Sequence, residues 1–142
     1  MGGMSLPPDV LARTAVDSIT SGMVVGLGTG RAATRCIRAL AARVKSEDLV
    51  ITCVATSRAS EGLARELGLT VLGLEEVPRV DYLFDGADEV DAQYQMIKGA
   101  GGALTRERWV AAVCAASGGQ LVYVVDETKV TARLGTRARL PV

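Results

Sequence analysis

Residues 81–107 hold the side chains of this sequence that are best suited to acid–base chemistry. Two carboxylates, Asp85 and Asp88, follow a short apolar run, and a single lysine, Lys98, precedes a glycine-rich turn. Glu107 lies just beyond that turn, at the start of a predicted helix. Carboxylates and an ammonium group around a turn of this kind could move a proton beside a carbonyl group. The sequence contains no histidine, so a general base must be a carboxylate or a lysine.

Glu107 is the strongest candidate for that base. In a helix that begins near Leu104, its side chain shares a face with Val110 and Cys114, so the carboxylate is expected to point inward. Burial raises the pKa of a carboxyl group, while the helix dipole and Lys98 oppose part of that rise. Such a group would exchange protons near neutral pH. The alternative is an exposed glutamate that only interacts with the helix dipole.

The acidic run that starts at Asp85 is also compatible with other roles. Asp85 and Asp88 could act only as helix caps or turn residues. Glu89 and Asp91 continue the run and are expected to be solvated. Four acids in seven residues could bind a divalent cation, but their spacing does not match an EF-hand loop and Lys98 would place a competing charge nearby. We therefore predict no metal site, and the small neighbours of Lys98 favour a site role for this lysine.

A second glycine turn follows the apolar segment 23–27. Its backbone N–H groups could bind an anion at the N-terminus of the next helix. The turn is not a dinucleotide fingerprint, because Arg31 stands where GxGxxG requires its last glycine, and no GK[ST] sequence follows. A tight turn without a ligand is the alternative, and the charged residues of 81–107 favour an anion site.

Composition limits the remaining function classes. The 142 residues fit one domain, and 49% are hydrophobic and 23% charged, as in ordinary globular proteins. Sixteen basic residues balance sixteen acidic ones, which argues against a nucleic-acid partner. No apolar run approaches the roughly 20 residues that span a bilayer, and the first residues do not resemble a secretory signal. The three scattered cysteines are expected to be reduced and buried, which favours a cytoplasmic protein.

Short apolar segments alternate with amphipathic ones along the chain. The predicted strands are 23–27, 49–54, 69–72, 80–84 and 120–125, and the predicted helices are 32–45, 57–67 and 104–117. This alternation predicts an α/β fold with a mostly parallel sheet and helices on both faces. Ligands bind at the carboxyl ends of such strands, where we expect Gly28, Thr56, Ser57, Asp85 and Asp126.

Four motifs, in this order, resemble those of the type A ribose-5-phosphate isomerases. They are VVGLGTG at 24–30, ATSRAS at 55–60, DGADEV at 85–90 and MIKGAGGALTRE at 96–107. The resemblance runs from about Leu11 to Val142. It implies a Rossmann-like α/β domain that interconverts D-ribose 5-phosphate and D-ribulose 5-phosphate, in the non-oxidative pentose phosphate pathway, without a metal or an organic cofactor. It also implies a homodimer or a homotetramer.

The same resemblance assigns roles to the candidate residues. Glu107 would be the base that moves a proton between C1 and C2 through an enediolate. Asp85 and Asp88 would bind the sugar and assist ring opening and hydroxyl proton transfer. Lys98 would stabilise the charge on the intermediate. The expected substrate contacts are Gly28, Thr29, Gly30, Arg31, Thr56, Ser57, Gly99 and Gly101.

The chain departs from the family pattern around the phosphate loop. Members usually have GTGST, whereas Arg31 and Ala32 follow the glycine turn here. A basic residue that is often found on the first helix is missing, since Pro8 and Asp9 lie near the aligned place. Our hypothesis is that Arg31 supplies the phosphate-binding charge instead.

Members of the family continue beyond the end of this sequence, through a small α+β domain and a last strand of the main sheet. We therefore expect one Rossmann-like domain over residues 1–142 that lacks this α+β domain, with 127–142 as a poorly packed segment and with an exposed sheet edge. A non-catalytic sugar-phosphate-binding or regulatory homologue is the alternative to an isomerase. The block 98–107 disfavours a related transferase or deaminase.

Overall fold

The computed structural model describes residues 9–140, which contain four α-helices and seven β-strands. The helices are α1 (Val10–Val16), α2 (Arg31–Glu47), α3 (Arg58–Glu66) and α4 (Leu104–Ala116). The strands are β1 (Val24–Leu27), β2 (Thr52–Ala55), β3 (Val71–Leu72), β4 (Tyr82–Asp85), β5 (Glu89–Val90), β6 (Met96–Ile97) and β7 (Gln120–Tyr123). None of these helices is long and apolar enough to cross a membrane. Pro8 and residues 141–142, on which some of the expectations above fall, lie outside the described residues.

The central sheet contains five parallel strands in the order β3–β2–β1–β4–β7. The chain runs outward from β1 to β3 and then crosses back to place β4 on the other side of β1. The register pairs Val25 with Cys53 on one side and with Tyr82 on the other. The predicted parallel α/β fold is confirmed, and the strand order reverses between β1 and β4, the position at which such sheets bind ligands.

Alternating side chains of the strands build a core on each face of the sheet. Val25 faces the larger core, to which α1 and α2 contribute Val16 and Leu40. Its neighbour Val24 faces the smaller core, which α4 covers with Val110. Helices thus cover both faces, as predicted, because successive side chains of a strand point to opposite sides of the sheet.

The predicted strands extend beyond their hydrogen-bonded parts. The prediction 49–54 corresponds to β2, which pairs with β1 from Thr52 onward, and Val50 before it is 75% exposed. Of the predicted strand 69–72, only the two residues of β3 are observed as a strand. Apolar character reveals that a strand is present, but the pairing with neighbouring strands sets its bounds.

The sequence does not predict three of these elements, α1, β5 and β6. Helix α1 has seven residues, and Asp9 caps it by accepting the N–H of Ala12 at 3.1 Å. Strands β5 and β6 form an antiparallel hairpin with two residues per strand, in which Glu89 lies opposite Ile97. Strands this short cannot show the alternation by which a strand is recognised.

The expectation that Glu89 and Asp91 are solvated is wrong, because only 2% and 9% of their surfaces are exposed. The carboxylate of Glu89 accepts the backbone N–H groups of Gly135 and Arg137, each at 2.7 Å. It accepts a third N–H from Ala138 at 3.0 Å. The hydrogen bonds from Ala138 and Arg137 hold the pKa of Glu89 below its usual value. These contacts cannot be predicted from the sequence, because the partners are backbone groups 46 to 49 residues further along the chain.

After β7 the chain forms a 3₁₀ turn at Glu127–Lys129 and contains no further helix up to residue 140. Val130 makes an isolated parallel bridge with Val90 of β5. Strand β7 is one edge of the five-stranded sheet, and its Leu121 is 38% exposed. In the described part of segment 127–142, the backbone is therefore fixed in position by its contacts with the β5–β6 hairpin.

The three cysteines are buried, as the sequence predicts. Burial raises the pKa of Cys36 to about 11 and that of Cys53 to about 12. Burial also raises the pKa of Cys114. Since the thiolate is the reactive form of cysteine, these buried thiols are structural.

Arg43→Ala is expected to lower the free energy of unfolding by about 1–3 kcal/mol. From Nη1 the guanidinium donates to the carbonyl of Val16 at 2.6 Å and to that of Ile19 at 2.9 Å, which fixes the end of α1 against α2. The substitution leaves these partly buried oxygens without this donor. Urea denaturation measures the change, with Arg38→Ala, at an exposed position of the same helix, as the control. Equal losses in the two variants would contradict the role assigned to Arg43.

Candidate active site

A cleft of about 540 Å³ opens at the carboxyl ends of β1 and β4, where the strand order reverses. The predicted site residues that line it are Thr29, Gly30, Arg31, Asp88, Lys98, Gly99, Gly101 and Glu107. They come from the β1–α2 turn, the β5–β6 hairpin with the glycine turn that follows it, and the start of α4. The fold thus brings most of the predicted site together at the edge where a parallel sheet binds ligands.

Gly28 allows the β1–α2 turn to approach the end of β4. Its N–H donates to the carbonyl of Phe84 at 2.9 Å, and a Cβ atom at this position would lie 2.6 Å from Cα of Asp85. The N–H of Thr29, the next residue, donates to Oδ1 of Asp85 at 3.1 Å. A residue larger than glycine would push the turn away from Asp85 and lengthen this hydrogen bond.

Thr56 and Ser57, although predicted as substrate contacts, are not among the residues that line the cleft. Thr56 is fully buried, and its hydroxyl donates to the carbonyl of Leu27 at 2.8 Å. It therefore accepts the hydroxyl of Thr29, also at 2.8 Å. Ser57 caps α3 by accepting the N–H of Ser60 at 3.1 Å. In this structure Thr56 orients Thr29, and Ser57 starts the helix.

Asp85 is fixed at the end of β4 and is 1% exposed. Its Oδ1 accepts the N–H groups of Thr29 and Gly86, at 3.1 and 2.8 Å. Its Oδ2 lies 3.1 Å from Nζ of Lys98. Two backbone N–H groups and an ammonium group thus replace the water that a carboxylate loses on burial.

Lys98 connects two buried carboxylates. It directly follows β6, and its Nζ lies 3.1 Å from Oδ2 of Asp85 and 3.7 Å from Oε1 of Glu107. The same Nζ donates to the carbonyl of Gly86 and lies 5.4 Å from the ring centroid of Tyr123. The side chain is 16% exposed and lines the cleft. Lys98 is therefore placed to stabilise negative charge that develops on an oxygen of a bound ligand.

Glu107 lies in the first turn of α4 and is 5% exposed. Its Oε2 is buried and has no hydrogen-bond partner among residues 9–140. Burial raises the pKa of this carboxyl group, Lys98 lowers it, and Asp85 and Asp88 raise it further. The inward position and the raised pKa agree with the sequence prediction. A buried polar atom without a partner costs about 1–3 kcal/mol, and this one lies at a cleft, where a ligand could supply the missing hydrogen bond.

Asp88 joins the hairpin to the glycine turn beyond it. Its Oδ2 accepts the N–H of Ala100 at 3.0 Å, and its own N–H donates to the carbonyl of Ile97 at 2.7 Å. In that turn Gly99 has a φ of +95°, and a Cβ atom there would lie 2.8 Å from Cβ of Leu104. Glycine is therefore required at Gly99 for the turn to hold Asp88 at the cleft.

Another part of the cleft wall is cationic. Helix α2 begins at Arg31, after Gly30, which has a φ of +103° and carries no side chain to cap the helix. Arg31 and Arg35 of this helix line the cleft, as does Lys129 of the 3₁₀ turn. The N–H groups of a helix N-terminus and three cationic side chains form a suitable environment for an anionic group.

Arg35 and Lys129 are lining residues that the sequence analysis does not single out. Arg35 stands four residues after Arg31, a spacing that puts both on one helix face and could have identified it. Its guanidinium makes hydrogen bonds of 2.5 and 2.7 Å to Asp9. Lys129 comes three residues after Asp126, which was expected at this edge and does line the cleft. Lys129 ends the 3₁₀ turn that follows β7, and no periodic pattern in the sequence marks it.

Two kinds of chemistry are available in the cleft. Glu107 can take up a proton, and Lys98, which the buried Asp85 behind the cleft wall contacts, can stabilise negative charge on oxygen. The cationic side chains can hold an anion in place. Among residues 9–140, no group of three or more His, Cys, Asp and Glu side chains is arranged to hold a metal ion.

Comparisons with known sequences point to one family. The family model described as ribose 5-phosphate isomerase A (phosphoriboisomerase A) matches residues 52–142. Ribose-5-phosphate isomerase A of Synechococcus sp. (strain JA-3-3Ab) is 46% identical over 132 residues, which are 92% of this chain and 56% of the relative. The chain spans about half the length of the curated relatives that it matches.

Solved structures give the same result. A structure of D-ribose-5-phosphate isomerase in complex with phospho-erythronic acid matches with a TM-score of 0.84 and 34% identity, over 89% of this chain and 54% of the other. Ribose 5-phosphate isomerase A of Methanocaldococcus jannaschii matches with a TM-score of 0.82 and 37% identity, over 89% and 55% of the two chains. The described fold is therefore the one that these proteins share over the matched part.

Glu107→Gln is expected to remove a pH-dependent part of the free energy of unfolding. Because the pKa of Glu107 is raised in the folded chain, folding favours the protonated group. This contribution is complete below the unfolded pKa of about 4.3 and is lost as the pH rises through the folded pKa. A glutamine stays neutral throughout. The stability of the variant relative to the parent should therefore increase as the pH rises above about 4.3.

Urea denaturation over a series of pH values measures this difference. Glu66→Gln, at an exposed position of α3, is the matched control. A stability difference between Glu107→Gln and the parent that does not change with pH would contradict the raised pKa.

Proposed function

The chain belongs to the ribose 5-phosphate isomerase A family, and we propose that its cleft interconverts D-ribose 5-phosphate and D-ribulose 5-phosphate in the pentose phosphate pathway. The observation that carries the proposal is the buried carboxylate of Glu107, with Oε2 unpartnered among the described residues and Oε1 3.7 Å from Nζ of Lys98. The names of the relatives support this reaction.

Glu107 is the base in the proposed reaction. In the open-chain aldose it removes the proton from C2, the electron pair forms the C1–C2 double bond, and the carbonyl oxygen at C1 takes up the negative charge. Glu107 then returns the proton to C1, and a proton is transferred from the C2 hydroxyl to the oxygen at C1, which yields the ketose. The raised pKa of Glu107 supports both steps, because such a group accepts a proton readily and remains able to release it.

Lys98 stabilises the enediolate between these two steps. Asp85 accepts two backbone N–H groups at Oδ1 and contacts Lys98 at Oδ2, which supports a role in holding the ammonium group in place. Asp88 lines the cleft, and its Oδ2 is oriented by the N–H of Ala100. This supports a role for Asp88 at the sugar hydroxyls, in ring opening and in the proton transfer between oxygens.

The cationic part of the cleft binds the 5-phosphate. Arg31, Arg35 and Lys129 line it beside the start of α2, which supports the hypothesis that Arg31 supplies phosphate-binding charge. The relative in complex with phospho-erythronic acid holds a phosphorylated sugar acid, and this supports an anionic sugar ligand here. Gly28, Thr29 and Gly30 shape the turn, and Thr56, directly after β2, orients the hydroxyl of Thr29.

The proposed reaction needs no oxidant and no carrier, because one proton moves between neighbouring carbons and one between their oxygens. We propose that it proceeds without a metal or an organic cofactor, since Lys98 provides the positive charge for the intermediate.

We also propose a cytoplasmic homodimer or homotetramer built on a single isomerase domain. Three buried thiols support a reducing compartment, and light scattering of the purified chain measures the number of subunits.

Glu107→Gln is expected to lower kcat by about 100- to 10,000-fold, because the amide cannot accept the C2 proton. The measurement is conversion of D-ribose 5-phosphate to D-ribulose 5-phosphate without added metal, with Glu66→Gln as the control. Calorimetry with the same sugar phosphate measures binding separately. A parent chain that binds the sugar phosphate but does not convert it would instead be a non-catalytic sugar-phosphate binder or regulatory homologue. An unchanged rate for Glu107→Gln would exclude Glu107 as the base.

Arg31→Ala is expected to raise KM by about ten-fold and to leave kcat nearly unchanged, since a charge-assisted hydrogen bond to phosphate contributes about 1.4 kcal/mol or more. Steady-state kinetics with D-ribose 5-phosphate measure both constants. Arg38→Ala removes an exposed arginine of the same helix that does not line the cleft, and it controls for the loss of charge. An unchanged KM for Arg31→Ala would rule out Arg31 as a phosphate ligand.

A further inference from the structure

Glu89 is a buried carboxylate to which the proposed mechanism assigns no role. It directly follows Asp88 and does not line the cleft. Among residues 9–140 its side chain is held by backbone groups: Oε1 accepts the N–H groups of Arg137 and Ala138, and Oε2 accepts that of Gly135. A carboxylate that is 2% exposed and accepts three backbone N–H groups is a strong and directional anchor for the segment that supplies them.

The anchored segment is continuous with part of the cleft. Thr128 and Lys129, in the 3₁₀ turn, line the cleft a few residues before the N–H groups that Glu89 binds. Between these points Thr131 donates its N–H to the carbonyl of Val90 at 2.9 Å. The chain from Lys129 onward is therefore attached to β5 at two places, by a backbone hydrogen bond and by the Glu89 carboxylate.

The hairpin on the other side of this anchor carries residues of the proton-transfer chemistry. Asp88 immediately precedes β5, and Lys98 immediately follows β6. The pairing of Glu89 with Ile97 sets the register of the two short strands. One side chain thus joins the hairpin that positions Asp88 and Lys98 to the segment that contains Lys129.

We propose that Glu89 is a positioning residue that holds the segment 130–138 against the β5–β6 hairpin and thereby keeps Lys129 at the cationic part of the cleft. The proposal rests on the proposed function, in which Lys129 contacts the phosphate group of the substrate. Glu89 acts through Lys129 and contacts no substrate atom. It determines how strongly the phosphate is held and not how fast the proton moves.

The test uses Glu89→Gln and Lys129→Met, singly and combined, in the full chain. Glutamine preserves the size of the side chain and one acceptor oxygen, but its NH₂ group cannot accept an N–H. Glu89→Asp keeps the negative charge but shortens the side chain by one CH₂ group. It therefore tests whether the length of the side chain, as well as its acceptor atoms, is needed to hold the segment. Asp91→Asn is the matched control. Asp91 also accepts backbone N–H groups, those of Gln93 and Gln95 at 2.9 Å, but these partners lie in the hairpin tip and not in the segment 130–138.

Glu89→Gln and Glu89→Asp are expected to raise KM for D-ribose 5-phosphate by about ten-fold, with kcat within a few-fold of the parent. Amide hydrogen exchange should become faster at Gly135, Arg137 and Ala138 and stay unchanged in β4 and α4. In the Lys129→Met chain the added Glu89→Gln substitution should have no further effect on KM, because the two residues act on one contact. Asp91→Asn should leave KM unchanged.

Calorimetric binding of inorganic phosphate separates this proposal from the proposed function. If the chain does not isomerise the sugar, a Kd for phosphate that rises about ten-fold in Glu89→Gln, and not in Asp91→Asn, still supports the positioning role. Fast exchange at Gly135, Arg137 and Ala138 with unchanged KM and unchanged phosphate Kd would overturn it. Effects of Glu89→Gln and Lys129→Met that simply add would also overturn it, since they would show that Glu89 does not act through Lys129.

Discussion

The site depends on one ammonium group, that of Lys98, which lies between the buried carboxylates of Asp85 and Glu107. Burying charges is costly, and the cost is offset only when each charge has partners of good geometry. Asp85 meets this condition through two backbone N–H groups in addition to Lys98. Glu107 does not, because its Oε2 has no partner among the described residues. The two carboxylates therefore differ in their hydrogen-bond partners. Asp85 is a fixed counter-ion of Lys98, and Glu107 is open to a ligand and to a proton.

The parallel sheet supplies the geometry that this charge arrangement needs. Because the strand order reverses between β1 and β4, the turn after β1 and the end of β4 face each other, and Gly28 lets them approach closely enough for Thr29 to bind Asp85. The β5–β6 hairpin then returns Lys98 to the same point. Helix α4 adds Glu107 from its first turn. Each element contributes through its end, which explains why short strands and tight glycine turns suffice.

The sequence predicts much of this site because the decisive residues stand at the ends of recognisable elements. Asp85 ends an apolar strand, which indicates the edge of the sheet at which it lies. Glu107 shares a helix face with Val110 and Cys114, which favours an inward carboxylate, and the family resemblance singles out both residues. Glu89 could not be placed in this way, since a buried carboxylate in an acidic run looks like a solvated one until its distant backbone partners are known. The positions of Lys129 and the hairpin could not be predicted for a related reason: two-residue strands and a 3₁₀ turn have no periodic pattern.

The most direct test of the central claim, that Glu107 transfers a proton between neighbouring carbons, is NMR of D-ribose 5-phosphate during conversion in D₂O. A carboxyl group that takes up the C2 hydrogen as a proton exchanges it with solvent during some turnovers. If Glu107 is the base, the D-ribulose 5-phosphate formed by the parent chain contains deuterium at C1, and Glu107→Gln loses both conversion and labelling. Complete retention of the substrate hydrogen, together with full conversion by Glu107→Gln, would contradict it and would indicate transfer between the carbons without a base.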